Sequence, residues 1–414
     1  MQKCILLILL VLGSVFAQPT ISNIQFLPDL LGTSDADIRS PLLSPDGQSI
    51  FYESEDSLCL YQIDNDTKEC FPFPETLERL GRYSPPVWSP DSRRVVFTDD
   101  DFFLTLNDSD IWQLDVTNGD ISNLTDDGDA RFRLTDDNPN PNLLIDYLHT
   151  FSPQGELYFF RSRLTEGINE VLGEKFSLEL FKFNETGEPV RVSSLRPQLP
   201  VMSIYQPAPI SPDGKTIALI VTPPDLQDNP NTGIWLQDLA TGKREKMLGL
   251  QDIPETRPEE TEGLSLLTPR RLHWVNHQNL ILYVEDYGGS FSVMTRNAFY
   301  LDLETKTVTP FEDFSKMSQS DLFKDTDAEN PMSKLPLAGF VTPDAKHYLY
   351  AGGFNTDYFL WARSLPLNDE PAQLLGSLSK DAEFVLTPGA LDTPATVSKD
   401  GKRALILGYL LTLE

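Results

Sequence analysis

Four histidines, His149, His273, His277 and His347, are the chain's whole supply of imidazole for metal binding or general-base work. His273 and His277 stand four apart, a spacing that lets two rings on a helix grip one ion. On an extended strand it separates them by roughly 13 Å, too far for one ion. A turn at His277 would draw the pair closer; the alternative is two ordinary strand or loop histidines. A hydrolase serine would sit in Gly-X-Ser-X-Gly between strand and helix, where a tight elbow exposes the hydroxyl. The nearest approach, Gly288 to Ser292, ends in Ser instead of Gly. Oxygen-rich clusters occur at Asp99–Asp101, Asn107–Asp110, Asp126–Asp129 and Asp136–Asn138. They have the turn-like character that calcium wants but lack the Gly and Glu spacing of an EF-hand loop. They read as solvated turns, and a pair of carboxylates for glycoside hydrolysis is a three-dimensional property that spacing does not show. No catalytic, metal or cofactor-binding residue follows from these patterns, and no cofactor is expected.

Charge is one-sided, with 62 acidic residues against 33 basic ones. Such a field repels phosphate backbones and anionic lipid heads, which excludes nucleic acid as a partner and disfavours membrane surfaces. Residues 1–17 have the form of a signal peptide: Lys3 at the start, an apolar run from Cys4 to Val15, and Val15-Phe16-Ala17 before Gln18. The run is short for a membrane span, and Cys4 lies too early to be a lipoprotein cysteine. The expectation is export to the periplasm or the extracellular space, with 18–414 as one domain and no membrane span. Cys59 and Cys70 flank the turn-rich stretch Ile63 to Thr67. If Asp64-Asn65 is a two-residue hairpin loop, the cysteines face each other and an oxidising compartment joins them. A one-residue change of register would turn them to opposite faces. Asn65, Asn107, Asn123 and Asn184 each open an Asn-X-Ser/Thr sequon, which matters only in a eukaryotic secretory pathway.

What must position any such chemistry is a repeat. Clear copies of one turn are Ser44-Pro45-Asp46-Gly47, Ser89-Pro90-Asp91-Ser92, Ser152-Pro153-Gln154-Gly155 and Ser211-Pro212-Asp213-Gly214. Weaker copies are Thr342-Pro343-Asp344-Ala345 and Ser398-Lys399-Asp400-Gly401, and a degenerate one spans Trp274 to His277. The Pro positions 45, 90, 153, 212, 276, 343 and 399 lie about 59 residues apart on average, the self-similarity of a repeat architecture. Pro presets the turn angle, Ser and Asp bond nearby backbone, and Gly accepts the left-handed conformation that closes it.

Nearly continuous apolar strands follow, such as Ile50 to Tyr52, Val95 to Phe97, Ile217 to Val221 and Leu280 to Tyr283. These read as strands buried on both faces. A second hairpin then runs through Thr117 to Asp120, Ala240 to Lys243 or Glu304 to Lys306. Two hairpins make a four-stranded antiparallel blade, and seven units make an all-β, seven-bladed propeller. The last unit lacks a strand, and Thr20 to Phe26 is a strand without a partner. Joining them closes the ring.

The pattern of apolar-Ser-Pro-Asp-Gly with Asp110 to Asp115 and Asn123 to Gly128 resembles the TolB-type, WD40-like propeller repeat. That resemblance implies a propeller of the bacterial envelope used for protein–protein contact. TolB itself has an additional N-terminal domain, for which the residues before the first turn leave no room. Similar repeats form the propeller half of prolyl-oligopeptidase-type peptidases, whose serine sits in a separate hydrolase domain. Some sugar-acid lyases on related seven-bladed rings hold a metal with several channel histidines.

Three functional readings follow. The first is a non-catalytic exported scaffold, monomeric, binding another protein or an extracytoplasmic ligand. The second is a lyase or hydrolase acting on a carbohydrate-like substrate at the central channel. The third is a cation-dependent binding module. The places to look are where the repeat breaks down: the fifth unit and the insertions Gln251 to Arg271 and Asp313 to Leu335.

Overall fold

The computed structural model describes residues 19–34, 38–77, 80–81, 84–99, 109–126, 143–164, 179–184, 186–192, 208–221, 230–254, 266–287, 294–313, 315, 331–354, 357–368, 370–378 and 395–414. Seven antiparallel sheets account for nearly all of the regular structure, and they are the blades of a propeller. Blade 1 contains Arg39–Leu43, Ser49–Ser54, Ser57–Gln62 and Thr67–Pro72, innermost strand first. Blade 2 contains Val87–Trp88, Arg94–Thr98, Ile111–Asp115 and Asp120–Asn123; blade 3 contains Leu143–Phe151, Leu157–Leu164, Glu179–Phe183 and Pro189–Arg191. In blade 4, Thr216–Val221, Gly233–Asp238 and Arg244–Leu248 form the sheet, and a single bridge from Ile210 to Ile217 holds the innermost position. Blade 5 contains Leu266–Asn276, Asn279–Tyr287, Met294–Asp302 and Thr307–Pro310; blade 6 contains Pro336–Val341, His347–Phe354, Asp357–Ser364 and Gln373–Leu378.

Blade 7 joins the two ends of the chain. Thr396–Val397, Arg403–Ile406 and Tyr409–Leu413 come from the C-terminal end, and Ile21–Phe26 supplies the outermost strand. Ile24 pairs with Leu411 and Phe26 with Tyr409. Thr20 and Glu414 exchange backbone hydrogen bonds of 3.1 and 2.9 Å, and the Leu27 N–H donates to the Gly408 carbonyl. A short helix, Leu27–Leu31, follows with Pro28 in its first turn, where no amide is needed, and ends at left-handed Gly32.

The apolar second strands are buried on both faces because each sheet is sandwiched between two others. In blade 1, Ile50 and Tyr52 pack with Leu405 and Leu410 of blade 7, whereas Phe51 packs with Val95 and Phe97 of blade 2. Blade 4 meets blade 5 through Ala218, Ile220, Leu280 and Leu282, and blade 6 meets blade 7 through Leu349, Leu360, Leu411 and Leu413. The core is thus a set of radial seams instead of one central cluster.

The closing strand and helix contribute to two of these seams, with Ile21, Ile24 and Phe26 on one side and Leu27 on the other. A chain begun at Gly32 should therefore lose more than about 3 kcal/mol of stability, at roughly 1.5–3 kcal/mol per buried apolar side chain. Urea unfolding of the mature and shortened chains measures this; equal midpoints and slopes would show that closure is dispensable.

Candidate functional site

The propeller presents two unlike faces. Within each blade the first-to-second and third-to-fourth strand turns lie at one face, while the remaining connections lie at the other. All the repeat turns are therefore on the first face. Most are organised by a Ser or Thr hydroxyl, and the serines among them are buried. Ser44, Ser89, Ser211 and Ser398 are at most 1% exposed. Their Oγ atoms donate to Asp46, Asp91, Asp213 and Asp400 at 2.6, 2.6, 2.6 and 2.7 Å. The same Oγ atoms accept the amides of Ser49, Arg94, Thr216 and Arg403 at 2.9–3.0 Å. Thr342 repeats this with Asp344 and His347. Ser152 has Gln154 in place of Asp and makes a shorter turn, accepting the Glu156 amide at 3.1 Å. In blade 5 Val275 replaces the serine, and what is left is the Asn276 side-chain Oδ1 accepting the Gln278 amide at 2.8 Å. The serine bonds hold the carboxyls of Asp91, Asp213 and Asp400 below the usual range.

These turns also grip one another. The Asp46 amide donates to Ser92 Oγ, the Lys399 amide to the Pro45 carbonyl, and Arg403 to the Gly47 carbonyl and to Asp64. Lys399 Nζ reaches past blade 1 to the Pro90 carbonyl of blade 2 at 2.6 Å. Gly47 has a φ of 73°, and a Cβ there would stand 2.8 Å from that of Ser398. Only glycine fits both the angle and the approach. Pro153, Gly155, Pro212, Gly214, Pro343 and Gly401 occupy corresponding places in their turns. The repeat residues thus hold this face together.

The opposite face receives the connections that leave Thr98, Asn123, Leu164, Arg191, Val221, Leu248, Pro310 and Leu378. Several sequence expectations lie outside the described residues: Asp100, Asp101, Asn107, Asp127–Asp129, Asp136–Asn138, Gly288–Ser292 and most of both insertions. Residues 1–17 lie outside them too.

Where two of these connections meet the blades, a polar cluster is buried in the seam between blades 2 and 3. The Asp110 carboxylate is 2% exposed and accepts from Asn123 Nδ2 at 2.8 Å and Thr125 Oγ1 at 3.1 Å. Asp99 accepts the Asp110 amide and the Trp112 indole N–H. From blade 3, Asp146 takes Arg161 in a two-pronged pair of 2.6 and 2.5 Å, and the guanidinium lies over Phe159 and Phe181. Ser109 stitches the blades by bonding the Asp146 backbone. Burial, reinforced by Asp99 and Asp146, pushes the Asp110 carboxyl up to about 7, against the pull of Asn123 and Thr125. The carboxyl is thus a buried group whose charge changes near neutral pH.

The histidines do not converge. His149 lies fully buried on the innermost strand of blade 3, next to left-handed Leu148. Burial drives it down to about 4 despite the nearby backbone of Val96 and Pro85, and neither ring nitrogen has a well-formed hydrogen bond. His273 is on the innermost strand of blade 5, His277 is at the turn face, and His347 opens the second strand of blade 6. His273 and His277 therefore sit apart along one strand and its turn. Among the described residues no three His, Cys, Asp or Glu side chains are grouped to hold a metal ion. Cys59 and Cys70 stand opposite each other on adjacent strands and form a disulfide. Their loop runs from Ile63 to Asp66, longer than a two-residue turn but of the same register parity. The Asp110, Asn123 and Thr125 motif is visible in the sequence, but the bonds of Asn123 and Thr125 to Asp110 are not, and Asp146 and Arg161 carry no local signal.

Two outcomes follow. Ser211→Ala strands the Thr216 amide and frees Asp213, and should cost about 1–3 kcal/mol in urea unfolding; no change would show that the hydroxyl is not what secures the turn. Asp110 has a folded pKa above its unfolded one, so the native state binds the extra proton. Its stabilising share is complete below about pH 4 and is lost as pH rises through about 7. The stability of Asp110→Asn relative to wild type should therefore climb across that window by roughly 2–4 kcal/mol. A flat difference would mean the carboxyl titrates normally.

No protein-family model matches the chain, and no curated protein sequence matches it. Similarity to solved structures is broad but low in identity. An oligogalacturonate lyase from Vibrio parahaemolyticus aligns over 95% of both chains at 13% identity with a TM-score of 0.51. TolB from Acinetobacter baumannii aligns over 81% of this chain at 14% identity and a TM-score of 0.39, and the match spans 64% of TolB's length. The β-propeller domain of Cps50 (Swd1) from Myceliophteria thermophila aligns over 96% of this chain and 99% of its own, at 11% identity and a TM-score of 0.46. The sheet order, with the lyase alignment beside it, carries the fold alone: the chain is a seven-bladed β-propeller.

Proposed function

We propose that the chain is an exported, non-catalytic binding scaffold that meets its partner with the face opposite the repeat turns. The asymmetry of the two faces carries this reading. On the turn face, side chains and backbone are committed to bonds within and between turns. The other face receives the long connections, which is where a rigid repeat scaffold has freedom to vary length and chemistry. Those connecting segments contain far more Asp and Glu than Lys and Arg. A partner with a basic protein surface would be steered toward them.

Export is supported by the Lys3 to Ala17 pattern and by the Cys59–Cys70 disulfide, which suits an oxidising compartment. No helix among the described residues is long and apolar enough to cross a membrane. The competing reading is an enzyme acting on a carbohydrate-like substrate at the channel. Turnover of a soluble glycan panel by the purified mature chain would favour it over the scaffold.

Affinity capture from culture fluid or envelope extract with the mature chain should recover one stoichiometric protein. Exchanging Asp100, Asp101, Asp127 and Asp129 for Asn should weaken capture at least tenfold. Lys215→Ala with Lys402→Ala on the turn face should leave it unchanged. The reverse pattern would place the partner on the wrong face for this proposal.

A further inference from the structure

The seam between blades 2 and 3 holds two buried titratable side chains of opposite kind, and the backbone is distorted to bring them together. The innermost strand of blade 3 faces blade 2 with Asp146, which meets Ser109 and acts on the Asp110 carboxyl. Three residues on, the His149 ring meets the backbone of Val96 and Pro85 in blade 2. On a regular strand, side chains three apart point to opposite faces. Here the pairing slips between Tyr147 and Thr150, and Leu148 takes a φ of 54°. A residue other than glycine rarely adopts that left-handed angle. The extra residue turns His149 into the same seam as Asp146.

Apolar packing is thin where they meet. Among the described residues the seam's buried apolar cluster is Val96, Ile111, Phe151, Leu157 and Phe159, five residues against eleven between blades 1 and 2. Full burial leaves His149 neutral, with one N–H for the two carbonyls it faces and no well-formed bond to either. Asp110, buried beside Asp99 and Asp146, keeps its proton up to about pH 7. Its contact with Thr125 suits that form. Thr125 Oγ1 already accepts the Ile111 amide at 2.9 Å and has a second lone pair for the Asp110 O–H. Among the described residues, the charged groups around the pair are Asp99, Arg161 joined to Asp146, and Arg94, which lies over Phe151 and donates to the Gly155 carbonyl. Burial holds the Tyr147 phenol well above its usual range, so it stays neutral throughout.

We propose that this seam is a pH-compensated joint, which closes with Asp110 protonated and His149 neutral. In water the same two groups carry charge, Asp as the anion and His as the cation, between about pH 4 and 6.5. Closing the joint therefore moves one proton from imidazole to carboxyl by way of solvent, and takes up or releases none overall. Alone, Asp110 would loosen the joint as pH rises from about 4 to about 7, because opening releases its proton. Alone, His149 would loosen it as pH falls from about 6.5 to about 4, because opening takes a proton up. The two slopes are equal and opposite over the shared range, so the joint is equally tight across it. A chain outside the cytoplasm meets the pH of its surroundings directly, and this joint keeps two blades fixed as that pH changes. It holds whichever face meets a partner.

Amide hydrogen exchange across Leu143–Phe151, corrected for the intrinsic rate and followed from about pH 4 to 7 in the full mature chain, tests this. Seam opening in wild type should stay level up to about pH 6.5. Asp110→Asn should open about tenfold more per unit fall in pH, and His149→Gln about tenfold more per unit rise. The double variant should be level again. A wild-type slope of that size in either direction, or single variants that run parallel to wild type, would overturn the proposal. Should the variants fail to fold, the wild-type infrared spectrum decides. The band of a buried protonated carboxyl should be present at about pH 6 and fade as pH passes through about 7. Its absence at the lower pH would mean that Asp110 is ionised in the closed seam, and the compensation would fail.

Discussion

The antiparallel pairing of Ile21–Phe26 with Tyr409–Leu413 is the contact on which the rest of the molecule depends. A blade buries both faces of its sheet only when it has a neighbour on each side, so an open ring would leave two apolar faces and two strand edges in water. Closure supplies them together. The closing strand adds Ile21, Ile24 and Phe26 to the seam between blades 6 and 7, and the helix after it adds Leu27 to the seam between blades 7 and 1. Lys399 and Arg403 then tie the last blade to the first two at the turn face. The main-chain ladder sets the position of the end blades, and the side chains lock it.

Ring closure fixes which end of the blades is free to do anything else. Near the axis the first-to-second strand turns crowd together, as the contact of Gly47 with Ser398 and the reach of Lys399 to Pro90 show. A serine hydroxyl that donates to an Asp and accepts an amide, with almost no exposure, cannot also serve a ligand. Among the described residues the opposite face shows no such repeated device. Asp110, Asp146 and Arg161 anchor connections there by bonds specific to one seam, and Asp110 is held with a proton affinity that a solvated turn aspartate lacks.

What could be read from sequence alone depended on how far apart the interacting residues are in the repeat. Turn chemistry, blade number and ring closure follow from local signals and from counting strands. The facing of Cys59 and Cys70 follows from parity, which is why it survives a loop of Ile63–Asp66 in place of a tighter turn. Asn123 shows the limit. As sequence it opens a sequon, but its side-chain amide is spent on Asp110. Asp146 with Arg161, and Tyr283 with Tyr348, meet across strands or blades whose registry no local pattern encodes.

Blade 5 shows how a weak repeat can be tolerated and what it releases. Val275 and Asn276 keep one side-chain hydrogen bond where the Ser211 turn of blade 4 keeps three. In exchange its first three strands run 11, 9 and 9 residues, against 5 or 6 for the strands of blade 1. The longer ladders hold through backbone bonds what the turn does not hold through side chains. A strand secured along its length no longer needs every inward residue to be apolar. Arg271 and His273 can then stand on the innermost strand without opening the seam, because Ile281, Tyr300 and Trp361 pack the remainder of it. The loss of the serine and the gain of a polar inner edge are thus two sides of one local trade in which backbone pairing replaces turn chemistry.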